Sequence, residues 1–442
     1  MSQDNEHLIL LNLSQPMLEE DPNELEFAKW TYEVKESEIR RLLKYQVKYY
    51  FGGGLPGALP LTVHSTILRD MGLRFLEQID QGKNNEVLMT YNYGTTPGDD
   101  DLRKILMKRL IERQHLPFEV ADYTKMQITQ GAQQAIFCVM DALINPGDVV
   151  LVPSPTYLGF VNVAKKFGAI IVGVPTDQGG LIVEQVQKAI QVSKTQFHKK
   201  PKFIYVIATS DNPKGTTMSV KRRKELFDLA VAEDIYLFED DAYKEIQFGK
   251  SYLPIKSFDI DNDRVLYTAS TSKEAGVFRL GYSIFPESIQ VEVEKSKGNI
   301  DLCTPTLIQK LVAEYYKGPV QDYLTESVAI YEKRKEMMIK EIDETFPGGT
   351  RNDPTGGFFI WWEADSRDFD AGWFNEKIAI PNDVLYVPGK PFYPPYELTS
   401  AGTIQRSEEP TNGMRLSYSK VTEKTIEEGI PRLGKLLADH IA

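Results

Sequence analysis

Residues 265–285 read VLYTASTSKEAGVFRLGYSIF, and this stretch predicts two buried strands joined by a polar turn. The runs VLYTAS and LGYSIF are short, apolar, and rich in β-branched and aromatic residues, which is typical of strands inside a sheet. Between them lies Lys273, directly after a cluster of small hydroxyl residues. This lysine is either an ordinary solvated charge or an amine held in place for nucleophilic chemistry.

Similar apolar runs alternate with helical patterns from about residue 100 to 290. The candidate strands are 126–129, 149–153, 169–175, 203–208, 235–240, 265–270 and 280–285. Strands separated by helices favour an α/β fold with a mostly parallel central sheet. A long charged amphipathic stretch and further strands follow, so we predict a large domain over 61–318. A smaller α+β domain with an N-terminal arm would combine 1–60 and 319–442.

Composition narrows the function classes. The chain has 442 residues, enough for two domains, and carries 51 Lys and Arg against 63 Asp and Glu, a net charge of −12. This acidic balance argues against a nucleic-acid or anionic-membrane surface, although a local pocket can still bind a small anion. No run approaches the roughly eighteen apolar residues of a membrane span.

Cys138 and Cys303 are the only cysteines, which argues against a disulfide framework and favours a reducing compartment. The N-terminal stretch MSQDNEHLILLNLSQ has no basic residue before its apolar run and is not expected to be a secretory signal. We therefore expect the cytoplasm. No metal site is predicted, because neither cysteine has a potential ligand at a useful spacing.

Ligands of an open parallel sheet bind at the carboxyl ends of its strands, so the residues after each candidate strand are the ones to examine. Gly131 and Ala132 join a strand to a helix, where free backbone N–H groups can bind a phosphate. Asn212 begins an Asn-Pro-x-Gly turn that presents its amide at a strand end. Taken singly, both could be ordinary turns.

Asp240 ends another candidate strand, and a buried carboxylate there needs a cationic partner. Tyr243 follows three residues later and could direct its hydroxyl to the same place. Solvated loop acids are the simpler reading of this segment. GGGLPG at 52–57 matches a dinucleotide fingerprint by letter, but no helix pattern follows it, so a Gly/Pro turn is expected.

The order of these features is more informative than any one of them. A phosphate-binding turn, an Asn, an Asp with a nearby Tyr, and a Ser-rich Lys273 followed by Arg279 each occur at a predicted strand end. Pyridoxal 5'-phosphate requires this set: the lysine binds its aldehyde as an imine, and the aspartate keeps its pyridine nitrogen protonated.

With these motifs the sequence closely resembles fold-type I pyridoxal-phosphate aminotransferases of class I/II, in the subgroup of 2-aminoadipate and kynurenine aminotransferases. The resemblance covers nearly the whole chain. Its motifs are TYNYGTTPGDDDLR, GAQQ, PTY, NPKG, EDDAY, STSK and RLSYS. It implies an α/β fold of type I, a homodimer with shared active sites, and transfer of an amino group from an L-α-amino acid to a 2-oxo acid, with 2-oxoglutarate expected.

The resemblance also implies roles for individual residues. Lys273 would form the Schiff base and move the substrate's α-proton, Asp240 would pair with the pyridine nitrogen, and Arg415 would bind the α-carboxylate. The remaining cofactor and substrate contacts would come from Asn212 and Tyr243 at the ring 3-oxygen, Tyr157 on the ring face, Gly131, Ala132, Gln133, Ser270, Ser272 and Arg279 at the phosphate, Tyr93 from the partner subunit, and Gly53 and Gly54 at the substrate entrance.

One departure leaves the reaction type open. The subgroup usually has Lys-x-x-x-Pro-Gly-x-Arg, whereas this chain reads KEAGVFR, one residue shorter and without Pro-Gly. The segment 274–278 could therefore alter specificity or chemistry. A pyridoxal-phosphate lyase, decarboxylase or cyclising enzyme is the main alternative. A non-enzymatic sensor of the same fold is a remote one, because a basic DNA-binding helix is missing before GGGLPG.

Overall fold

The computed structural model describes residues 26–57, 61–318 and 320–441. The predicted absence of a signal in MSQDNEHLILLNLSQ lies outside the described residues. The strands are β1 Tyr49–Tyr50, β2 Met126–Thr129, β3 Val149–Ser154, β4 Ile170–Asp177, β5 Gly180–Leu181, β6 Phe203–Val206, β7 Tyr236–Asp241, β8 Val265–Ser270, β9 Gly281–Ile284, β10 Gly349–Arg351, β11 Phe359–Ala364, β12 Val384–Leu385, β13 Val387–Pro388, β14 Tyr396–Leu398, β15 Ile404–Arg406 and β16 Gly413–Ser417.

Helices connect many of the strands and pack against them. They are α1 Trp30–Glu33, α2 Glu38–Leu42, α3 Leu61–Asp80, α4 Asn84–Thr90, α5 Asp100–Gln114, α6 Ala132–Leu143, α7 Leu158–Lys166, α8 Val183–Gln196, α9 Val220–Ala232, α10 Glu287–Asp301, α11 Thr306–Lys317, α12 Val320–Thr345, α13 Ala371–Phe374 and α14 Glu423–Ala438. Within the described ranges, none is long and apolar enough to cross a membrane.

The main sheet has the strand order β15-β14-β4-β3-β6-β7-β8-β9-β2, with β5 paired to β4. From β14 to β8 every neighbouring pair is parallel, while β9 runs antiparallel to both β8 and β2. The predicted mostly parallel α/β sheet is confirmed. Each candidate strand of the sequence lies in it, and the bounds differ by no more than two residues.

The direction of β9 brings the predicted site residues to one edge. Because β9 is antiparallel to both neighbours, β2 and β8 point the same way, and both end beside Gly281 at the start of β9. The turns that follow β2, β3, β6, β7 and β8 therefore meet at the same edge. The Lys273 turn lies between β8 and β9, and Gly131 follows β2.

Apolar burial holds this edge in place. Strand β8 is fully buried, and α6 turns Ala135, Ile136, Val139 and Met140 toward the core while packing against α10. Burying each large side chain of this kind stabilises the fold by about 1.5–3 kcal/mol. The helix that begins at Ala132 is thus fixed relative to the sheet.

A second sheet, ordered β10-β11-β16-β13, is antiparallel, and β1 and β12 form a separate parallel pair. The long helices α12 and α14 pack against each other, and α14 also contacts β1 and β12. Strand β16 is central, and its Arg415 pairs with Trp361 of β11 and Val387 of β13. The hairpin β14–β15 lies late in the chain but pairs with β4 of the main sheet.

Candidate active site

A cavity of about 110 Å³ lies at the edge where these turns meet. Most of the predicted site residues line it. Its walls are Ala132, Gln133, Ile136, Tyr157, Ile207, Asn212, Asp240, Ala242, Tyr243, Ser270, Ser272, Lys273 and Arg279. Residues from five separate turns, up to 147 positions apart in the sequence, thus form one compact site.

One part of the site gathers hydrogen-bond donors. Gly131 has φ 75° and ψ 168°, a backbone conformation open to glycine, and an added Cβ would lie 3.1 Å from Arg279 Nη2. Arg279 Nη1 donates to Ser272 Oγ at 3.0 Å, and the hydroxyls of Ser270 and Ser272 are 2.8 Å apart. Gly281 also has no room for a side chain, because its Cβ would lie 2.6 Å from the Gly131 carbonyl carbon.

These donors suit a phosphate. Helix α6 begins at Ala132, so its first N–H groups and the positive end of its dipole face this part of the site. A guanidinium and two hydroxyls add charge-assisted hydrogen bonds for a dianion. The predicted phosphate-binding residues are therefore grouped around one helix N-terminus.

Asp240 presents a carboxylate oxygen with no partner. Its side chain is buried, and Tyr205 donates to Oδ2 at 2.9 Å. The other oxygen, Oδ1, is buried and has no hydrogen-bond partner within the described ranges. Burial raises the pKa of Asp240 to about 6, with Asp241 adding to the shift, while the Tyr205 hydrogen bond and Lys273 oppose it. A cationic N–H donor in the cavity would supply the hydrogen bond that Oδ1 lacks.

Lys273 is held beside two aromatic rings. Its Nζ donates to the Gly54 carbonyl at 3.1 Å and lies 5.1 Å from the Tyr243 ring centroid and 5.9 Å from that of Phe358. Burial lowers the pKa of Lys273 to about 8, with Arg415 adding to this effect and Asp240 opposing it. A lysine with a pKa in this range has a reactive neutral fraction near neutral pH. The solvated-charge alternative is not what the structure contains.

Tyr157 and Tyr243 form apolar walls with polar tips. The Tyr157 hydroxyl donates to Gln133 Oε1 at 3.1 Å, and Gln133 Nε2 donates to the Gly159 carbonyl at 3.1 Å. Burial raises the pKa of Tyr157 to about 12, so its hydroxyl stays protonated. Tyr243 is buried edge-on against Phe358.

Arg415 lies fully buried at the junction of the two sheets. Its Nη1 donates to Asn212 Oδ1 at 2.8 Å and its Nη2 to the Gly52 carbonyl at 3.2 Å, while its guanidinium lies 4.0 Å from the Phe359 ring centroid. No carboxylate contacts Arg415 within the described residues. Its charge is thus available to an incoming anion.

Two predictions concern residues at the margin. Gly53 packs against the Tyr50 ring, and Gly54 reaches the site through its carbonyl bond to Lys273. Tyr93 does not line the 110 Å³ cavity. It is 77% exposed and borders a separate, larger cavity of about 680 Å³ between α3, α4 and α11.

Sequence reasoning missed the groups that hold the site residues. Tyr205 fixes one oxygen of Asp240 but is part of the apolar run FIYV, and a hydroxyl within such a run was the available signal. The bond of Arg415 to the Gly52 carbonyl had no signal, because a backbone contact across 363 positions leaves no trace in side-chain type.

The sequence places the chain in a known family: it belongs to aminotransferase class I and II, which it matches over residues 76–433. Aromatic-amino-acid aminotransferase 1 of Thermococcus litoralis is 32% identical over 94% of this chain and 94% of that protein. The 2-aminoadipate transaminase of Thermus thermophilus is 28% identical over 94% and 97%.

Among solved structures, kynurenine aminotransferase of Pyrococcus horikoshii in complex with PMP is 31% identical, with a TM-score of 0.82 over 94% of this chain and 98% of that one. The chain is therefore a fold-type I aminotransferase that depends on pyridoxal phosphate. The predicted family, fold class, cofactor and transaminase activity are confirmed. The residues present fit the cofactor: an amine, a helix N-terminus with hydroxyls, and a buried carboxylate oxygen without a partner share one cavity.

Proposed function

We propose that Lys273 binds the aldehyde of pyridoxal phosphate and then moves the proton at the substrate's α-carbon. The bound cofactor supplies an electron sink for that carbon. Proton transfer requires the amine to be neutral for part of the cycle, and the lowered pKa of Lys273, about 8, provides this. Asp240, Tyr243 and Lys273 are the proposed catalytic residues.

Asp240 is proposed to hold the cofactor's pyridine nitrogen. The single observation that carries this assignment is its buried Oδ1, which has no partner among the described residues. A buried oxygen of this kind costs about 1–3 kcal/mol unless a donor reaches it. Tyr205 donates to the other oxygen and so helps to orient the carboxylate.

The phosphate is proposed to bind Gly131, Ala132, Gln133, Ser270, Ser272 and Arg279. Asn212 and Tyr243 would contact the ring 3-oxygen, and Tyr157 its face. The grouping of a helix N-terminus, two hydroxyls and a guanidinium supports the phosphate assignment.

Arg415 and Asn212 are proposed to bind the substrate's α-carboxylate, next to the Gly53–Gly54 loop. Arg415 is already oriented by two hydrogen bonds and by the Phe359 ring, so little side-chain entropy is lost when a carboxylate arrives. Because guanidinium can bind both carboxylate oxygens, it aligns the α-carbon as well as holding it.

We propose an L-α-amino acid as donor and 2-oxoglutarate as acceptor, in amino-acid biosynthesis. Support comes from relatives named for aromatic amino acids, 2-aminoadipate and kynurenine. These relatives are all named as aminotransferases or transaminases, which favours amino transfer over elimination or decarboxylation. A panel of amino donors with 2-oxoglutarate tests this: glutamate should accumulate with at least one donor. If donors were converted to product and none of them yielded glutamate, 2-oxoglutarate would be refuted as the acceptor.

A homodimer is proposed from the surface around Tyr93. Exposed apolar side chains lie on the two helices beside it, namely Leu68, Leu73, Leu76, Ile79, Leu88 and Met89. Several exposed apolar side chains on neighbouring helices favour an interface. The family resemblance implies that Tyr93 of one subunit then contacts the partner's phosphate site. Sedimentation analysis should give twice the chain mass of 50.2 kDa.

Cys138 and Cys303 are both free, which supports a reducing, cytoplasmic location. We also propose the division into a large domain, 61–318, and a small domain, 1–60 with 319–442. The two sheets support it, with the β14–β15 hairpin as a small-domain segment that pairs with the large sheet.

A further inference from the structure

A buried ion pair lies directly behind the catalytic side chains. Lys244 Nζ and Glu274 Oε1 are 3.2 Å apart, and their side chains are only 2% and 1% exposed. Each follows a proposed catalytic residue in the sequence: Lys244 comes after Tyr243, and Glu274 after Lys273. Tyr243 and Lys273 line the cavity. Lys244 and Glu274 do not line it and instead bond each other.

Glu274 is bonded at three points. One carboxylate oxygen accepts from Lys244, the other accepts from the Tyr316 hydroxyl at 3.0 Å, and its backbone carbonyl accepts from the Tyr323 hydroxyl at 3.3 Å. Tyr316 belongs to α11 and Tyr323 to α12. The turn that carries Lys273 is therefore tied to the β7 turn and to two helices.

Lys244 stays cationic in this setting. Burial alone would lower its pKa, but the neighbouring Tyr282 and Glu274, with Glu245 and Asp241, raise it above its ordinary value. Glu245 in turn accepts from Arg109 Nε at 3.1 Å and from Arg113 Nη2 at 3.3 Å, both on α5. Carboxylates thus surround Lys244, whereas burial raises the pKa of Glu274 and the charges of Lys244 and Arg109 oppose that shift.

We propose that the Lys244–Glu274 pair is a positioning device for the reaction: it sets where Lys273 Nζ lies relative to Tyr243 and the cofactor's aldehyde. This inference rests on the proposed role of Lys273. The proposed role also explains how the segment 274–278 is held in place without the Pro-Gly of the subgroup, because Glu274 anchors this turn. A displacement of about 1 Å at a reacting atom can cost roughly 100-fold in rate.

The decisive variant is Glu274→Asp, which keeps the charge but withdraws the carboxylate by one methylene. Two ligands separate positioning from general distortion. Pyridoxal phosphate must bond to the Lys273 amine with loss of water, whereas pyridoxine phosphate has an alcohol in place of the aldehyde and cannot. For Glu274→Asp we expect capture of pyridoxal phosphate by the cofactor-free protein to slow about tenfold or more. The dissociation constant of pyridoxine phosphate should stay within about twofold, because the N-terminus of α6 belongs to another segment and Ser270 ends the buried strand β8.

Steady-state kinetics give a second readout. The kcat of Glu274→Asp should fall by about 10- to 100-fold while KM for the amino donor stays nearly constant, because Arg415 lies on another strand. Glu233→Asp is the matched control. Glu233 also pairs with a lysine, but it lies at the end of α9, where it bonds Lys194 of α8, and it does not line the cavity. It should leave capture and kcat unchanged.

A double variant guards against simple misfolding. Lys244→Met with Glu274→Leu replaces the pair by apolar side chains, an exchange that buried ion pairs often tolerate without loss of stability. We expect it to melt at or above the wild-type temperature and still capture the aldehyde slowly. Capture at the wild-type rate by this variant or by Glu274→Asp would overturn the positioning role, as would equal losses for both ligands. If borohydride reduction of the wild-type protein loaded with pyridoxal phosphate did not fix the cofactor on Lys273, the proposed function would be overturned, and this inference with it.

Discussion

Arg415→Lys tests the proposed contact between Arg415 and the substrate's α-carboxylate. Arg415 is fully buried and uses both terminal nitrogens, one on Asn212 and one on the Gly52 carbonyl. A carboxylate bound by two guanidinium N–H groups would keep at most one comparable bond to an ammonium. A hydrogen bond to a charged group contributes about 1.5–3 kcal/mol. At about 1.4 kcal/mol per factor of ten, kcat/KM should fall about 10- to 150-fold.

The assay compares two substrates in both proteins. An amino-acid donor should show the full loss, mainly as a raised KM, whereas an amine with the same side chain and no carboxylate should react at nearly equal rates in both. The near-UV circular dichroism spectrum serves as the folding control, because Arg415 bonds Asn212 in the cavity wall and cofactor affinity is therefore not independent of it. Retention of kcat/KM within about twofold, or an equal loss with the amine, would refute the assignment.

Two other substitutions test the cofactor site. Asp240→Asn should weaken pyridoxal phosphate binding yet stabilise the cofactor-free protein at pH 7. The folded pKa of Asp240, about 6, lies above its usual 3.8, so burying the charge costs stability as pH rises through this window. The free energy of unfolding of cofactor-free Asp240→Asn should exceed that of the wild type by on the order of 3 kcal/mol at pH 7, and the two should be nearly equal at pH 4. A difference that does not change with pH would contradict this. Gly131→Ala should cost about 1–3 kcal/mol and weaken phosphate binding, because its φ of 75° strains any side chain. Gly72→Ala on α3, with no neighbour within 4 Å, is the control and should be neutral or stabilising; equal effects would argue against a special role for Gly131.

The parallel sheet was predictable because its strands carry a strong local signal. The runs 126–129 and 265–270 are buried on both faces and contain no charged residue, and their observed bounds match. The run 203–208 ends two residues earlier in the structure, because Ile207 leaves the sheet to line the cavity. Local composition does not report such an exit.

Side-chain pairs between distant segments were not predictable. Tyr205 and Asp240 lie 35 positions apart, and Lys244 and Glu274 lie 30 apart. Each of these residues has an ordinary local explanation, as an apolar strand residue or a loop charge. Their relation depends on strand order, which brings β6, β7 and β8 side by side.

The departure in KEAGVFR has a structural solution. Residues Gly276–Phe278 form one tight helical turn, and Arg279 adopts φ 48°, in the left-handed region. That conformation costs a non-glycine residue about 1–2 kcal/mol. It nevertheless places Nη1 on Ser272, so the shorter loop still delivers its arginine to the hydroxyl cluster.

Lys273 is proposed to be the amine that binds the cofactor. Borohydride reduction of the protein loaded with pyridoxal phosphate, followed by peptide mapping, tests it directly. We predict one phosphopyridoxyl group per chain, on the peptide that contains STSKEAG, and none in Lys273→Ala. Labelling of a different lysine, or stable labelling of Lys273→Ala, would contradict the assignment.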